Sequence, residues 1–355
     1  MKNAAGFVIF RRISIAWVLC GENDLSSYPG QPVISRNALA SVDLGTHTAR
    51  LLVALPEAGG TRLRPLARDR RTIRLARGMG REGGFAIPED AADRAVSAIR
   101  EFTRTVLDHD GVIAGAVCTG VVRTAANREA FLKSLRDETG VEFRLITGEE
   151  EALLTLRGVL SAVGRVEGPF LLFDLGGGST ELIAGSGVEN TAAAVESVPL
   201  GALALKEAYL RGDPPGREEL EAVEAAVDRV LEGVLLGVLP LGKVPRLIGT
   251  GGTATTLAAM ARGVEFRDIS PERMDGTTLG RDEVEGLFEK MIRMTSRERC
   301  LLTGVDEGRA DVLPAGTVVV RRIMHFLGVP EMSVCLSDIL EGILISYLEG
   351  FAHEQ

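Results

Sequence analysis

The chain has 355 residues, 45% hydrophobic and 25% charged, a balance that suits a folded protein with room for two cores and excludes a disordered one. Aromatic residues make up 5% and the net charge is −9, which argues against a single-strand stacking platform and against a dedicated nucleic-acid or membrane-surface protein. The four cysteines and four histidines are scattered without metal-ligand spacing, so they predict neither a zinc site nor a disulfide frame.

Residues 1–36 read as a loosely ordered extension. "FRRISIAWVLCGEN" has the basic start of a secretion signal, but its apolar run is short and no cleavage site follows. No apolar run is long enough to span a bilayer. A cytoplasmic location is therefore the expectation.

From Asn37 the pattern becomes regular. "ALASVDLG" and "ARLLVALP" predict two strands joined by a short polar turn. An arginine-rich strand and loop follow, with Arg68, Arg70, Arg71, Arg74 and Arg77 read mostly as a solvated face. Pro88 opens a helix whose Ala92, Ala95, Ile99, Phe102 and Val106 recur at helical spacing. "GVIAGAVCTG" predicts a buried strand, "NREAFLKSLRDETG" a helix ending at Gly140, "EFRLIT" a strand, and "EEEALLTLRGVL" a helix. Beyond these, "GPFLLFDLGGGSTELIAG" reads as strand, glycine turn, strand. A helix then carries Leu220, Val223, Val227, Val230 and Val234 on one face. "VPRLIGTGGTATTLAAM" reads as strand, glycine loop, helix. Strands alternating with helices predict an α/β fold.

"SVDLGTHTARLLVA" and "LFDLGGGSTELIAG" align without a gap, placing Asp43 on Asp174, Gly45 on Gly176, Thr48 on Ser179 and Leu51 on Leu182. Two copies of one hairpin suggest two related domains facing each other across a cleft. A bare hairpin uses Asp and Gly for geometry alone. Repeated, the pattern points instead to backbone N–H groups bared for an anion, with Ser179 and Thr180 adding hydroxyl donors at the rim. Asp43 and Asp174 at the strand ends either cap their turns or hold Mg²⁺, which is usually bound through one or two carboxylates plus water and phosphate. The loop at Gly251 and Gly252 stands before a helix N-terminus that favours negative charge. "TGEEEALL" offers Glu149, Glu150 and Glu151 either as first-turn complements to the helix dipole or as a base for water, and the spacing does not choose among them. Arg123 follows a buried strand and a small-residue turn, where a guanidinium could grip phosphate.

From Ala38 to Glu349 these motifs resemble those of the exopolyphosphatase/guanosine pentaphosphate phosphohydrolase (Ppx/GppA) family, within the actin/Hsp70/sugar-kinase superfamily. "VDLGTHTARLLVA", "TGVVRTAANREAFL", "ITGEEEALLTLRGV", "FDLGGGSTELI", "IGTGGTATTLAAM", "GRADVLPAG" and "LSDILEGIL" fall in the family's order. The resemblance implies two ribonuclease-H-like domains around a cleft. Residues 37–147 would carry the first phosphate loop and be joined by a C-terminal helix in 333–355. Residues 148–332 would carry the second phosphate loop and the third glycine loop. It further implies that Glu151 is the base, that Asp174 and Glu181 help position Mg²⁺ and water, and that Arg123 contacts phosphate. Asp43, Gly45, Thr46, His47 and Thr48 would line the first loop, Gly176, Gly177, Gly178, Ser179 and Thr180 the second, and Gly251 and Gly252 of the third loop would bind phosphate as well. The family usually has asparagine where this chain has His47, an imidazole that could donate to phosphate and bring a pH dependence near neutrality. The implied activity is Mg²⁺-dependent release of terminal orthophosphate from inorganic polyphosphate by a short, two-domain form, which the resemblance implies is a homodimer. Hydrolysis of guanosine pentaphosphate is the alternative, and a non-hydrolytic nucleotide-binding protein or a sugar kinase is less expected.

Overall fold

The computed structural model describes residues 38–57, 62–76, 85–186, 191–238 and 246–353; the N-terminal extension and Arg77 lie outside the described residues. Its first strand, β1 (Leu39–Leu44), obeys the two-residue period of a strand buried on both faces. Ala40, Val42 and Leu44 join one core, while Leu39, Ser41 and Asp43 turn to the other side. β2 (Thr48–Pro56) and β3 (Leu63–Thr72) continue antiparallel, and β4 (Val112–Cys118) and β5 (Arg144–Leu145) add in parallel, giving the order β3-β2-β1-β4-β5. The strand expected over "EFRLIT" is thus only two residues long, because only Arg144 and Leu145 find partners on β4.

α1 (Glu89–Asp108), entered through Pro88, and α2 (Arg128–Thr139), closed by Gly140 at φ 72°, cover the even-numbered face of β1. Phe102, Ile99, Phe131 and Leu135 are buried there against Val42 and Leu51. Full burial of each such side chain contributes roughly 1.5–3 kcal/mol.

The second sheet joins β6 (Pro169–Leu175), β7 (Thr180–Ser186), β8 (Thr191–Val198), β9 (Arg246–Gly251), β10 (Thr277–Gly280) and β11 (Glu331–Val334) in the order β10-β11-β9-β6-β7-β8. Leu171, Phe173 and Leu175 of β6 face a core built with α5 (Arg217–Val238), α6 (Gly252–Arg262), α8 (Arg281–Met291) and α10 (Leu313–Leu327). The buried stripe of α5 is Val223, Val227 and Leu231, with Leu220, Val230 and Val234 at its margins, so the stripe runs one position around from the expected one. Phe170 and Leu172 face the opposite way, onto Ala152, Leu156 and Val159 of α3 (Gly148–Val163).

α11 (Ile339–His353) lies between the first sheet and α3. Leu340 and Leu344 pack on Leu39 and Leu52, and Ile339 and Ile343 on Val117 and Leu154. The two helices touch backbone to backbone: a Cβ at Gly158 would sit 1.8 Å from the Asp338 carbonyl oxygen, and one at Gly342 would sit 1.9 Å from that of Leu154. The resemblance places the final helix from Ser333 onward, but it starts at Ile339, because Ser333 and Val334 are taken up by β11. No helix among the described residues is long and apolar enough to cross a membrane.

Candidate active site

The two repeated turns have the same geometry. Gly45 N–H donates to Thr48 O at 2.9 Å in the β1–β2 turn, and Gly176 N–H donates to Ser179 O at 3.0 Å in the β6–β7 turn. In the second turn the carbonyls of Gly176 and Gly177 accept N–H groups from Ala202, Leu203 and Ala204, at the start of α4 (Ala202–Tyr209). A trans peptide holds its N–H opposite its C=O. The amides of Gly177 and Gly178 therefore point away from α4, and the turn lines a cleft that Ala202 also borders. The two turns meet tip to tip: a Cβ at Gly177 would lie 2.6 Å from that of His47, and one at Gly178 would lie 2.6 Å from Thr46 Oγ1. Glycine is required for that approach.

The repeat breaks where it matters electrostatically. Asp43 lies directly opposite Arg50 in the first hairpin, and Asp174 lies directly opposite Glu181 in the second. Arg50 donates Nε and Nη2 to Asp43 Oδ2 at 2.9 and 2.7 Å, and Thr119 Oγ1 donates to Oδ1 at 3.2 Å. Asp174 receives only the hydroxyl of Thr155, at 3.3 Å, among the described side-chain bonds. Burial raises its pKa to about 7 against the opposing pull of Arg50, with Asp338, Glu181 and Asp43 adding to the rise. Glu181 is pushed up by burial and drawn back by the hydroxyls of Ser197 and Ser179, both donating to Oε1, at 2.8 and 2.9 Å. Burial likewise raises Asp43, with Arg50 opposing.

Of the three successive glutamates, one faces the cleft. Glu150 closes a capping box with Thr147 and pairs with Arg144 at 2.6 Å, and Glu149 is exposed. Glu151 lines the cleft, its side chain 13% exposed, and accepts Arg123 Nη1 at Oε2 at 2.8 Å. Burial, and then the charge of Glu181, push its pKa well up, while Arg123 opposes them.

The cleft is open to solvent, and it brings together Asp43, Gly45, Thr46, His47, Thr48, Glu151, Asp174, Gly176, Gly177, Gly178, Ser179, Glu181, Gly251 and Gly252. Two expected members stand back from it. Arg123 reaches the site through Glu151. Thr180 is not at the rim: it is fully buried and its hydroxyl donates to Leu200 O at 2.7 Å, as a hydroxyl without water requires.

Arg50 and Arg309 also line the cleft, and neither stands out in the sequence. Arg309 lies over the head of α6, where a Cβ at Gly252 would meet its guanidinium carbon at 2.1 Å. Desolvation, with Arg70 nearby, draws its pKa well down, against the pull of Asp306, whose Oδ2 lies 3.8 Å from Arg309 Nε. The arginines read as a solvated face are largely not one: Arg68 pairs with Glu341, Arg70 with Asp306, and Arg74 with Asp311, whereas Arg71 is exposed beside Asp69 and Glu101. His47 Nε2 bonds Gly308 O at 2.8 Å, and burial followed by the charge of Arg74 lowers the ring's pKa to about 4.

Among the described residues no three His, Cys, Asp or Glu side chains are grouped to hold a metal ion by themselves. The cleft nonetheless fits a hard cation such as Mg²⁺: its carboxylates are oxygen donors, Asp174 accepts only one described side-chain hydrogen bond, and Mg²⁺ completes its shell with water and phosphate.

The chain matches the Ppx/GppA phosphatase family over residues 52–351. It is 34% identical over 319 residues to exopolyphosphatase 2 of Mycobacterium tuberculosis, covering 87% of this chain and 98% of the relative. It is 31% identical over 314 residues to exopolyphosphatase 1 of Mycobacterium bovis, covering 88% and 89%. Among solved structures, an exopolyphosphatase from Cytophaga hutchinsonii superposes with a TM-score of 0.77 at 27% identity, over 88% of this chain and 98% of that one. The Ppx/GppA member from Aquifex aeolicus gives 0.72 at 26%, over 89% and 99%.

Proposed function

Since the chain belongs to the Ppx/GppA phosphatase family, we propose that it hydrolyses the terminal phosphoanhydride bond of inorganic polyphosphate and releases orthophosphate. The observation that carries this reading is Glu151, a buried carboxylate held by Arg123 in the cleft that both glycine turns line. Water attacks the terminal phosphorus, the bridging P–O bond breaks, and the shortened chain leaves with the bonding electron pair. Glu151 accepts the proton from that water; burial and the charge of Glu181 raise its proton affinity, as a base needs, and the Arg123 guanidinium opposes that rise. The Gly177 and Gly178 amides, with Arg309, bind and orient the terminal phosphates, so the rate comes mainly from positioning and charge stabilisation. Asp174 and Asp43 are the residues that would hold Mg²⁺, which when bound neutralises charge on the phosphoryl group. Ser179 and Ser197 hold Glu181 Oε1, which fixes that carboxylate beside the site.

Guanosine pentaphosphate is the second reading, because the same phosphate machinery serves it. Among the described residues no Phe, Tyr or Trp lines the cleft to stack a guanine, which favours polyphosphate. Orthophosphate release from the two substrates in parallel tests the assignment. Faster release from polyphosphate is expected; preference for the nucleotide would replace it. We expect Glu151→Gln to lower kcat by about 10²- to 10⁴-fold with an unchanged circular dichroism spectrum. A near-wild-type rate in that variant would remove Glu151 from the role of base.

A further inference from the structure

The segment Asp306–Asp311 carries Arg309 into the cleft, yet it has no helix or strand of its own. Three side chains from the first sheet tie it down. Arg70 pairs with Asp306, whose Oδ1 accepts Gly308 N–H at 2.7 Å. Arg74 grips Asp311 with both Nη1 and Nη2, each at 2.9 Å. Between them His47 Nε2 reaches Gly308 O, the carbonyl immediately before Arg309, at 2.8 Å. The carbonyl of His47 in turn accepts the N–H groups of Ile73 and Arg74, at 2.9 Å each, so the ring and the Arg74 fork are anchored together.

We propose that His47 is a positioning residue for Arg309: its ring spans from the first phosphate turn to the Gly308 carbonyl and sets Arg309 over Gly252 when the two halves of the cleft are together. A neutral imidazole has one N–H. Its partner here is a carbonyl, which can only accept, so the proton is on Nε2 and Nδ1 has none to offer a phosphate. The histidine therefore acts through Arg309 and not on the substrate. The ion pairs at Arg70 and Arg74 are partly solvated and would individually add little. What they supply together with His47 is a set of ties from the first half of the chain to a segment whose own backbone turns run into α10.

The kinetic part of the test rests on the polyphosphate reading. His47→Ala is expected to raise KM for polyphosphate about tenfold, as loss of one hydrogen bond would, with a smaller change in kcat. His47→Gln, whose amide N–H can stand where Nε2–H does, should recover most of that loss. In the Arg309→Ala background His47→Ala should add nothing, because its effect passes through the missing guanidinium. Losses that multiply in the double variant would overturn the proposal and make His47 a direct ligand. Hydrogen–deuterium exchange over residues 302–313 gives a readout free of turnover: it should quicken in His47→Ala and return towards wild type in His47→Gln. Unchanged exchange in His47→Ala would sink the strut. A wild-type protein that released no orthophosphate would sink the functional reading alone, leaving the exchange result to stand. If His47→Ala does not fold, Arg74→Ala, which frees the same segment from its other end, takes its place in both measurements.

Discussion

At the scale of single residues the chemistry of His47 is set by what surrounds it. Burial, Arg74 and Arg309 all oppose a charge on the ring, and only the Gly308 carbonyl and Asp311 favour one. With a pKa of about 4 in the folded protein against 6.5 unfolded, the ring is neutral across pH 5.5–8.5. The pH dependence near neutrality expected from the sequence should therefore not come from this residue. Activity profiles of wild type and His47→Gln over that range should have the same shape; an inflection lost in the variant would refute this. The sign of the stability effect follows from the same shift. The unfolded chain binds the proton first, so wild type loses stability as pH falls from 6.5 towards 4, by up to about 3 kcal/mol. His47→Gln lacks this loss, and urea melts at pH 7 and pH 4.5 should show the variant falling less. The aspartates and glycines of the turns are legible in the sequence because strand period and turn chemistry are local. The pairing of Arg68, Arg70 and Arg74 is not, because their partners Glu341, Asp306 and Asp311 lie at the far end of the chain. Arg309 stands in the "GRADVLPAG" run, but nothing local in that run shows that it enters the cleft.

At the scale of elements, the strands and helices that carry the turns are readable because each alternates or repeats over a whole element: β1, β2, β6, β7, β9, α1, α2, α3, α5 and α6. Those not named include short or edge pieces whose existence depends on neighbours, and also α8 and the largely buried α10, whose apolar run Leu313–Leu327 is legible only as part of a motif. β11 is four residues, held between β9 and β10, and it displaces the expected start of the last helix to Ile339. The α3–α11 crossing is equally invisible, since a glycine in a helix announces nothing about what passes it. There Gly158 leaves no room for a side chain. Gly158→Val should force α11 outward and cost roughly 1–3 kcal/mol or more, read as a lowered Tm. Because Asp338 begins α11 and pairs with Arg50, which itself holds Asp43, activity should fall with it. A Gly158→Val variant with unaltered Tm and rate would show that the crossing has slack.

At the scale of the molecule, the first sheet and the end of the chain are tied by buried charge. Arg50 bridges Asp43 and Asp338, and Arg68 pairs with Glu341, whose side chain is 6% exposed. Removing Glu341 takes the paired carboxylate from Arg68, leaving it the more distant charges of Asp338, Asp275 and Glu272. Glu341→Gln should destabilise by about 3–5 kcal/mol, whereas a joint Arg68→Met and Glu341→Leu exchange should restore most of the loss. Thermal melts of the three proteins decide it; a tolerated Glu341→Gln would mean that water reaches Arg68. The same tie orders events in time. Among the described elements α11 is the last to leave the ribosome, yet it covers Leu39 and Leu52 and supplies the counter-charges for Arg50 and Arg68. The first-made sheet waits, one apolar face bare, until that helix arrives. A nascent chain therefore carries both glycine turns long before the helix that covers the first sheet is made.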